Sequence, residues 1–310
     1  MADKTHIQWT DASWNVVTGC TRVSEGCRHC YIERTPAFRM AGRKFVNGKI
    51  QIEQHIPRLN QPLKWKKPRR VFVNSLSDLF HEDIEDSFIL NVFTVMAICH
   101  RHTFQILTKR PRRMQALLSK WRADDLYLYW HGYSGGPAEV EAYPLKNVWL
   151  GVSIEDQATA DERIPILLKT PAAVRFISAE PLLGPVDVSR WMKPVEVRSC
   201  WEKGYKPTKE DYAAVAEMAK ASLKKVGKWN RLDWIICGGE SGPGARLTDL
   251  AWMRSLKDQC QAAKVPVFVK QLGAKPYRAG RYANARVFLH DKKGGDPQEW
   301  PDDLRVREYP

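Results

Sequence analysis

Short apolar runs rich in β-branched and aromatic residues recur along the chain, and each gives way to polar or glycine-containing residues. Residues 71–74 (VFVN) run into Ser75-Leu76-Ser77-Asp78, 103–107 (TFQIL) into Thr108-Lys109-Arg110, and 148–152 (VWLGV) into Ser153-Ile154-Glu155. Residues 174–177 (VRFI) end at Ser178-Ala179-Glu180-Pro181, 234–237 (WIIC) at Gly238-Gly239-Glu240-Ser241, and 265–269 (VPVFV) at Lys270-Gln271. Near-continuous apolar runs of this kind suit strands buried on both faces, as in a parallel sheet. Helical patterns fall between them. Residues 86–99 have an acidic start and apolar residues at 88, 89, 92, 93, 95 and 96, while 111–121 open with a proline suited to a first helical position. Residues 156–168 and 249–263 each begin with an aspartate, a good N-cap. Repeated alternation of strand and helix predicts an α/β fold. With an early strand near 16–18, it predicts a partial (β/α) barrel of about six or seven βα units, the polar residues gathering after strands where βα loops build sites.

Two stretches break this rhythm, about 122–144 and about 185–231, and read as insertions. The second carries an amphipathic helix pattern over 209–225 and ends in the basic run KKVGKWNR. Residues 1–273 are then the barrel domain, and 274–310, with glycines, prolines and charges, a loosely packed C-terminal extension. A length of 310 residues suits one large domain or two small ones, and 44% hydrophobic with 27% charged residues excludes a wholly disordered chain. No apolar run approaches the roughly 20 residues of a membrane span. The N-terminus lacks a secretory apolar core, so the expected location is cytoplasmic, without membrane contact. The formal charge of +14 is unevenly spread: residues 61–122 carry 12 basic against 5 acidic groups, 184–232 carry 11 against 6, and 123–183 carry 4 against 9. A basic surface beside an acidic middle can steer a polyanion such as nucleic acid onto the protein, although solubility explains excess charge equally well.

The chemistry concentrates in residues 18–31, TGCTRVSEGCRHCY, which place Cys20, Cys27 and Cys30 in the pattern C-x6-C-x2-C. Seven cysteines are an odd count in a chain too large to need disulfides, which fits a reduced setting. Three thiolates without a clear fourth suit a [4Fe-4S] cluster with one iron open to an exogenous ligand. Gly19 and Gly26 would let the backbone approach such a cluster closely. A structural zinc site is the alternative, with His29, His81 or a distant cysteine as fourth ligand, and unmetallated thiols are the third reading. Cys99, Cys200, Cys237 and Cys260 are isolated and read as core or surface thiols.

The position of that loop, after the first strand of an alternating chain, resembles the radical S-adenosylmethionine (SAM) enzymes. More closely, the chain resembles an uncharacterised phage-associated family within that group. The shared segments are IQWTDASWNVVTGC, GCRHCY, RRVFVNSLSDLFHEDI, HTFQILTKRP, NVWLGVSIEDQATADERIPILL, VRFISAEPLLGPV, WIICGGESGPGAR and VPVFVKQLG, covering most of residues 7–273. The loop departs from the common C-x3-C-x2-C spacing. Gly238-Gly239-Glu240 lies far later than the Gly-Gly-Glu that usually follows the second strand. The resemblance implies that Cys20, Cys27 and Cys30 hold three irons, that SAM chelates the fourth, and that an electron donor such as flavodoxin or ferredoxin serves the site. It leaves SAM's ammonium to Ser75, Ser77 or Asp78 and its carboxylate to Lys109 or Arg110. Ser153 joins this cofactor set, and Glu155, Glu180 and Glu240 are the candidate catalytic carboxylates at successive strand ends. A nucleic-acid base or nucleotide is the expected substrate. The run Lys64-Trp65-Lys66-Lys67-Pro68-Arg69-Arg70 mixes cations with an aromatic as phosphate and base contacts require, and reads somewhat more readily as a solvated lead into the second strand. The rival functions are a zinc-stabilised nucleic-acid-binding protein without catalysis and a degenerate barrel whose cysteine loop is only structural.

Overall fold

The computed structural model of the chain describes residues 5–122, 143–192, 231–278 and 285–310. In chain order the strands are β1 (Ala12–Trp14), β2 (Val17–Thr21), β3 (Lys49–Gln54), β4 (Arg70–Val73), β5 (Thr103–Thr108), β6 (Val148–Ile154), β7 (Val174–Ala179), β8 (Trp234–Gly238), β9 (Thr248–Asp249), β10 (Val267–Gln271), β11 (Pro276–Arg278) and β12 (Ala285–Arg286). Seven of them form one all-parallel sheet in the order β1-β4-β5-β6-β7-β8-β10. The α-helices are α1 (Pro36–Met40), α2 (Asp86–Ile98), α3 (Pro111–Leu118), α4 (Gln157–Leu168) and α5 (Leu250–Ala263). Four of them follow β4, β5, β6 and β8, so the chain is a partial β/α barrel.

The curl of the sheet can be read from one side chain. Phe72 on β4 and Trp234 on β8 stand four strand spacings apart, roughly 19 Å in a flat sheet at about 4.8 Å per strand. Trp9 nevertheless lies 4.6 Å from the Phe72 ring and 6.2 Å from the Trp234 ring. Period-two alternation then sorts the two faces of each strand. Val71, Val73, Phe104, Ile106, Leu150, Val152, Ile177, Ile235 and Cys237 pack outward in the main core with the helices. Phe72, Phe176, Trp234, Ile236 and Phe268 point inward and fill the barrel with Trp9, joined by Leu107 and Trp149. Toward the C-terminal ends of β6 and β7 the inward positions turn polar, which is how Ser153 and Ser178 come to sit above the aromatic plug.

Helix starts follow the local chemistry. Asp156 caps α4, accepting from Thr159 N while the Thr159 hydroxyl accepts from the Asp156 N–H, and Asp249 caps α5 through Ala251 N. Pro111 opens α3. The early strand is the main difference from expectation. The first barrel strand is β1, and β2, read as the barrel's first strand, leaves the sheet and pairs antiparallel with β3. Gly19 makes the turn possible: its φ of +98° is left-handed, and a Cβ there would overlap the Gln51 and Ile50 carbonyls of β3. Its lack of a side chain therefore serves the hairpin rather than a cluster.

Most of the two stretches read as insertions, including the 209–225 helix pattern and Cys200, lies outside the described residues. The tail is not loosely packed in its described part. Trp300 and Leu304 are buried in the main core, Val269 N donates to Val306 O, and Glu308 N donates to Val267 O, both at 2.9 Å. No helix among the described residues is long and apolar enough to cross a membrane.

Candidate functional site

At the C-terminal ends of the strands a cleft of about 250 Å³ opens beside a smaller hollow of about 150 Å³. They share Cys27, Cys30, Tyr31, Phe72, Leu107, Lys109 and Ser153, so they form one continuous site. The floor of the larger part is apolar, from Ile7, Trp9, Phe72 and Leu107. Its walls carry Ser178, Glu180, Glu240, Ser241 and Lys270. The smaller part gathers Cys20 with Ser75, Ser77, Asp78 and Arg110. The three cysteines and the candidate cofactor-binding and catalytic residues all meet here except one. Glu155 borders neither hollow and lies buried beneath the cysteine loop, 1% exposed.

The three cysteines arrive on different local structures. Cys20 is on β2, Cys27 ends the 3₁₀ turn Glu25–Cys27, and Cys30 precedes the turn Tyr31–Arg34. All three are free thiols. Burial pushes the Cys20 thiol up to about 12, with the Asp78 charge adding to it, and burial likewise raises Cys30. A metal bound here has to displace those protons. The loop is tied to the barrel at several points. Arg110 donates to Thr21 O at 3.2 Å, Ser24 Oγ to Glu155 Oε1 at 2.9 Å, and His29 Nδ1 to Glu240 Oε2 at 3.2 Å. Tyr31 donates to Ser75 O from the far end.

The strand-end charges are paired with one another. Asp78 accepts from Phe80 N (3.0 Å), Thr108 Oγ1 (2.7 Å), Lys109 N (2.9 Å) and Arg110 Nη1 (3.3 Å), which fills its lone pairs and leaves none for a ligand ammonium. Ser75 Oγ donates to Asn15 Oδ1 and Ser77 Oγ to Val17 O. Arg110 also binds Glu82 at 2.9 Å, and the Lys109 ammonium pairs with Glu155. Glu155 further binds Arg163 Nη1 at 3.1 Å. Burial alone would raise its pKa, but Lys109 and Arg163 outweigh burial and hold the carboxyl below the usual range. Glu180 accepts from Ser178 Oγ at 2.9 Å and pairs with Lys270 at 3.0 Å. Glu240 pairs with Arg246 at 2.6 Å. Burial would raise it too, yet hydrogen bonds from the Arg246 side chain and backbone and from His29 bring it down to about 2.

Ser24, Arg163 and Arg246 hold this network and were not visible from spacing, while His29, weighed as a zinc ligand, is bonded to Glu240 instead. For Arg163 a signal existed, a cation among the buried helix positions Ala160, Ile164 and Leu167. Gly26 stands where expected for a reason other than the one anticipated: a Cβ there would overlap the Glu155 side chain. Asn74, with φ +60°, spends its Oδ1 on Val17 N at 3.2 Å, so its buried Nδ2 is a donor without a partner among the described residues, on the wall of the smaller hollow.

These contacts limit what the thiols can hold. Among the described residues no three His, Cys, Asp or Glu side chains are arranged to hold a metal ion. His81, the suggested zinc ligand, uses Nε2 on Thr21 Oγ1 (2.8 Å) and accepts at Nδ1 from Asp83 N (3.1 Å). Cys99, Cys237 and Cys260 are buried in the main core. A multi-iron cluster takes each thiolate at a different iron and its sulfides accept hydrogen bonds. Three thiols opening on one hollow with an unpartnered Asn74 donor fit such a group better than a single ion. The basic run is a correction. Trp65 is 5% exposed, with Arg69 5.0 Å over its ring, and the run leads into the N-terminal end of β4, at the opposite end of the barrel from the cleft.

No curated protein matches the chain significantly. A solved structure similar to it is described as "Spore photoproduct lyase complexed with dinucleoside spore photoproduct". The two share 13% sequence identity with a TM-score of 0.35, over 94% of this chain and 71% of that one. A family model described as "Protein of unknown function (DUF5131)" matches residues 4–294, and the chain belongs to that family.

Proposed function

We propose that the protein is a radical SAM enzyme whose [4Fe-4S] cluster is held by Cys20, Cys27 and Cys30. The observation that carries this reading is the convergence of three free thiols from one loop on a hollow at the C-terminal strand ends of a partial β/α barrel. The chemistry supplied by cluster and SAM together is reductive cleavage of the sulfonium to methionine and a 5′-deoxyadenosyl radical that takes hydrogen from the substrate. The chain's own part is to bind and shield. Asn74, whose buried Nδ2 has no partner among the described residues, borders the cluster end together with Ser75 and Ser77. Lys109 and Ser153 line both halves, which supports a role for them toward both SAM and substrate. Glu180, Glu240 and Lys270 border the outer half, where the substrate belongs in this reading, over the floor of Ile7, Trp9, Phe72 and Leu107.

For the substrate we propose a nucleotide or a nucleic-acid base, supported by the net charge of +14 and by a cleft whose apolar floor and polar walls suit a planar heterocycle. A base within a duplex would have to be flipped out to enter it. A protein electron donor such as flavodoxin or ferredoxin, a cytoplasmic setting and the association with bacteriophage complete this reading. Anaerobic purification, reconstitution with iron and sulfide, and low-temperature EPR of the reduced protein test it. About four irons per chain, a reduced signal that changes on adding SAM, release of 5′-deoxyadenosine, and loss of all three in Cys27→Ala are the expected results. Stoichiometric zinc with no EPR-active centre would overturn the reading and favour a zinc-stabilised nucleic-acid binder.

A further inference from the structure

The carboxylate that borders neither hollow joins the cysteine loop to two cations of the barrel. Glu155 leaves the end of β6 and turns under the cysteine loop, where Ser24 Oγ donates to its Oε1 at 2.9 Å. The same Ser24 hydroxyl lies 3.8 Å from Cys27 Sγ. On its barrel side Glu155 binds Lys109 and Arg163, and Arg163 Nη1 also donates to Ser153 O at 2.7 Å. Its backbone is fixed as well: Glu155 N donates to Thr159 Oγ1 and Leu183 N donates to Glu155 O. Gly26 rests on the carboxylate so closely that a methyl group there would overlap Cγ, Cδ and Oε1.

We propose that Glu155 is a positioning residue, a buried strut that sets the height of the cysteine loop over the barrel through Ser24 and Gly26. A carboxylate gripped by two cations and anchored at both backbone polar groups does not yield, so the loop must take its position from the side chain. Gly26 is then glycine because the strut occupies its Cβ space, and Ser24 transmits the same constraint to the segment that bears Cys27. Glu155 therefore acts through the loop, without touching substrate. The proposal concerns the loop of the metal-free protein, and only its consequence for iron rests on the radical-enzyme reading.

The test is a double-mutant cycle between positions 26 and 155. In Gly26→Ala the added methyl lifts the loop. Hydrogen–deuterium exchange of the metal-free protein should quicken across 22–30 while β5 to β8 keep their protection. After reconstitution, iron retained against a chelator should fall about 10-fold or more, the usual cost of losing support behind a metal ligand. Glu155→Ala clears the space that Cγ, Cδ and Oε1 occupy, so adding Gly26→Ala to Glu155→Ala should quicken exchange far less than adding it to the native chain. An equal quickening by Gly26→Ala in both backgrounds would overturn the proposal, since a purely local defect at either site predicts additivity. If Gly26→Ala fails to fold, Ser24→Ala removes one hydroxyl and adds nothing. Faster exchange over 24–27 then supports the strut, and unchanged exchange overturns it. Because exchange is read without metal, the strut can stand or fall even in a chain that binds no cluster.

Discussion

Asp78 shows how a residue legible as functional can be spent on the scaffold. Its position after β4 singles it out in the sequence. Its four donors, drawn from its own turn and from the end of β5, do not follow from any spacing. Asp78→Asn would turn one acceptor into a donor facing Lys109 N or Arg110 Nη1 and leave Arg110 underpaired in a buried setting. We expect a loss of about 3 kcal/mol in urea unfolding. A loss below about 1 kcal/mol, the worth of an ordinary hydrogen bond, would mean that Arg110 holds without it. Glu240 makes a pH prediction. Its folded carboxyl sits near 2 against an ordinary 4.5, so its pairing stabilises the protein above 4.5 and is lost as pH falls from there toward about 2. Glu240→Gln should therefore lower the melting temperature at neutral pH and flatten its fall over that acid range. An unchanged acid limb in the variant would place the pH sensitivity elsewhere. The cysteines and strand-end polar residues were legible because they follow apolar runs. Their partners were not, because Glu155 meets Ser24 and Glu240 meets His29 across 131 and 211 residues of chain.

At the scale of elements, hydrophobic pattern carried most of the barrel. The runs read as strands at 71–74, 103–107, 148–152, 174–177 and 234–237 correspond to β4 through β8, because strands apolar on both faces leave an unbroken run. The first strand escaped because Ala12–Trp14 is three residues long, too short for any period to show, and the Val16-Val17 pair beside it leads into the hairpin strand Val17–Thr21. Gly151 exposes the inner packing that alternation alone does not reveal. It faces the barrel interior on β6, and a methyl group there would stand 2.6 Å from the Phe176 ring of the neighbouring strand. Gly151→Ala should cost about 1–3 kcal/mol through overpacking. Phe176→Leu should cost stability alone yet recover part of the loss when combined with Gly151→Ala, as read from chemical denaturation. Strict additivity would show that the glycine serves the backbone and not the ring.

For the whole molecule, a half-barrel must close two open edges, and both ends of the described chain take part. The tail runs antiparallel along β10, with Val306 O and Glu308 N bonded to Val269 N and Val267 O. Trp234 Nε1 donates to Glu308 O at 2.9 Å, so the plug itself is pinned by the tail. Tyr309 then reaches across. Its ring lies 5.5 Å from Trp234 and 5.4 Å from Phe268, Arg70 at the foot of β4 sits 4.2 Å over it, and its hydroxyl donates to Gln8 O. Glycines, prolines and charges around 274–310 disguised this, because a strap that pairs through backbone atoms needs few apolar residues of its own. Trp9, which floors the cleft, belongs to the same aromatic plug, so the strap at the base and the cleft above it share one core. Deleting residues 306–310 should therefore lower stability by about 4 kcal/mol or more, from the four hydrogen bonds above at about 1 kcal/mol each and the aromatic contacts beyond them. It should also quicken hydrogen exchange in β10 and around Trp9. Tyr309→Ala should reproduce the change around Trp9 while sparing β10, whose partners are backbone groups. If the deletion loosens β10 but leaves Trp9 protected, the strap guards an edge only, and the cleft floor is held from the N-terminal side alone.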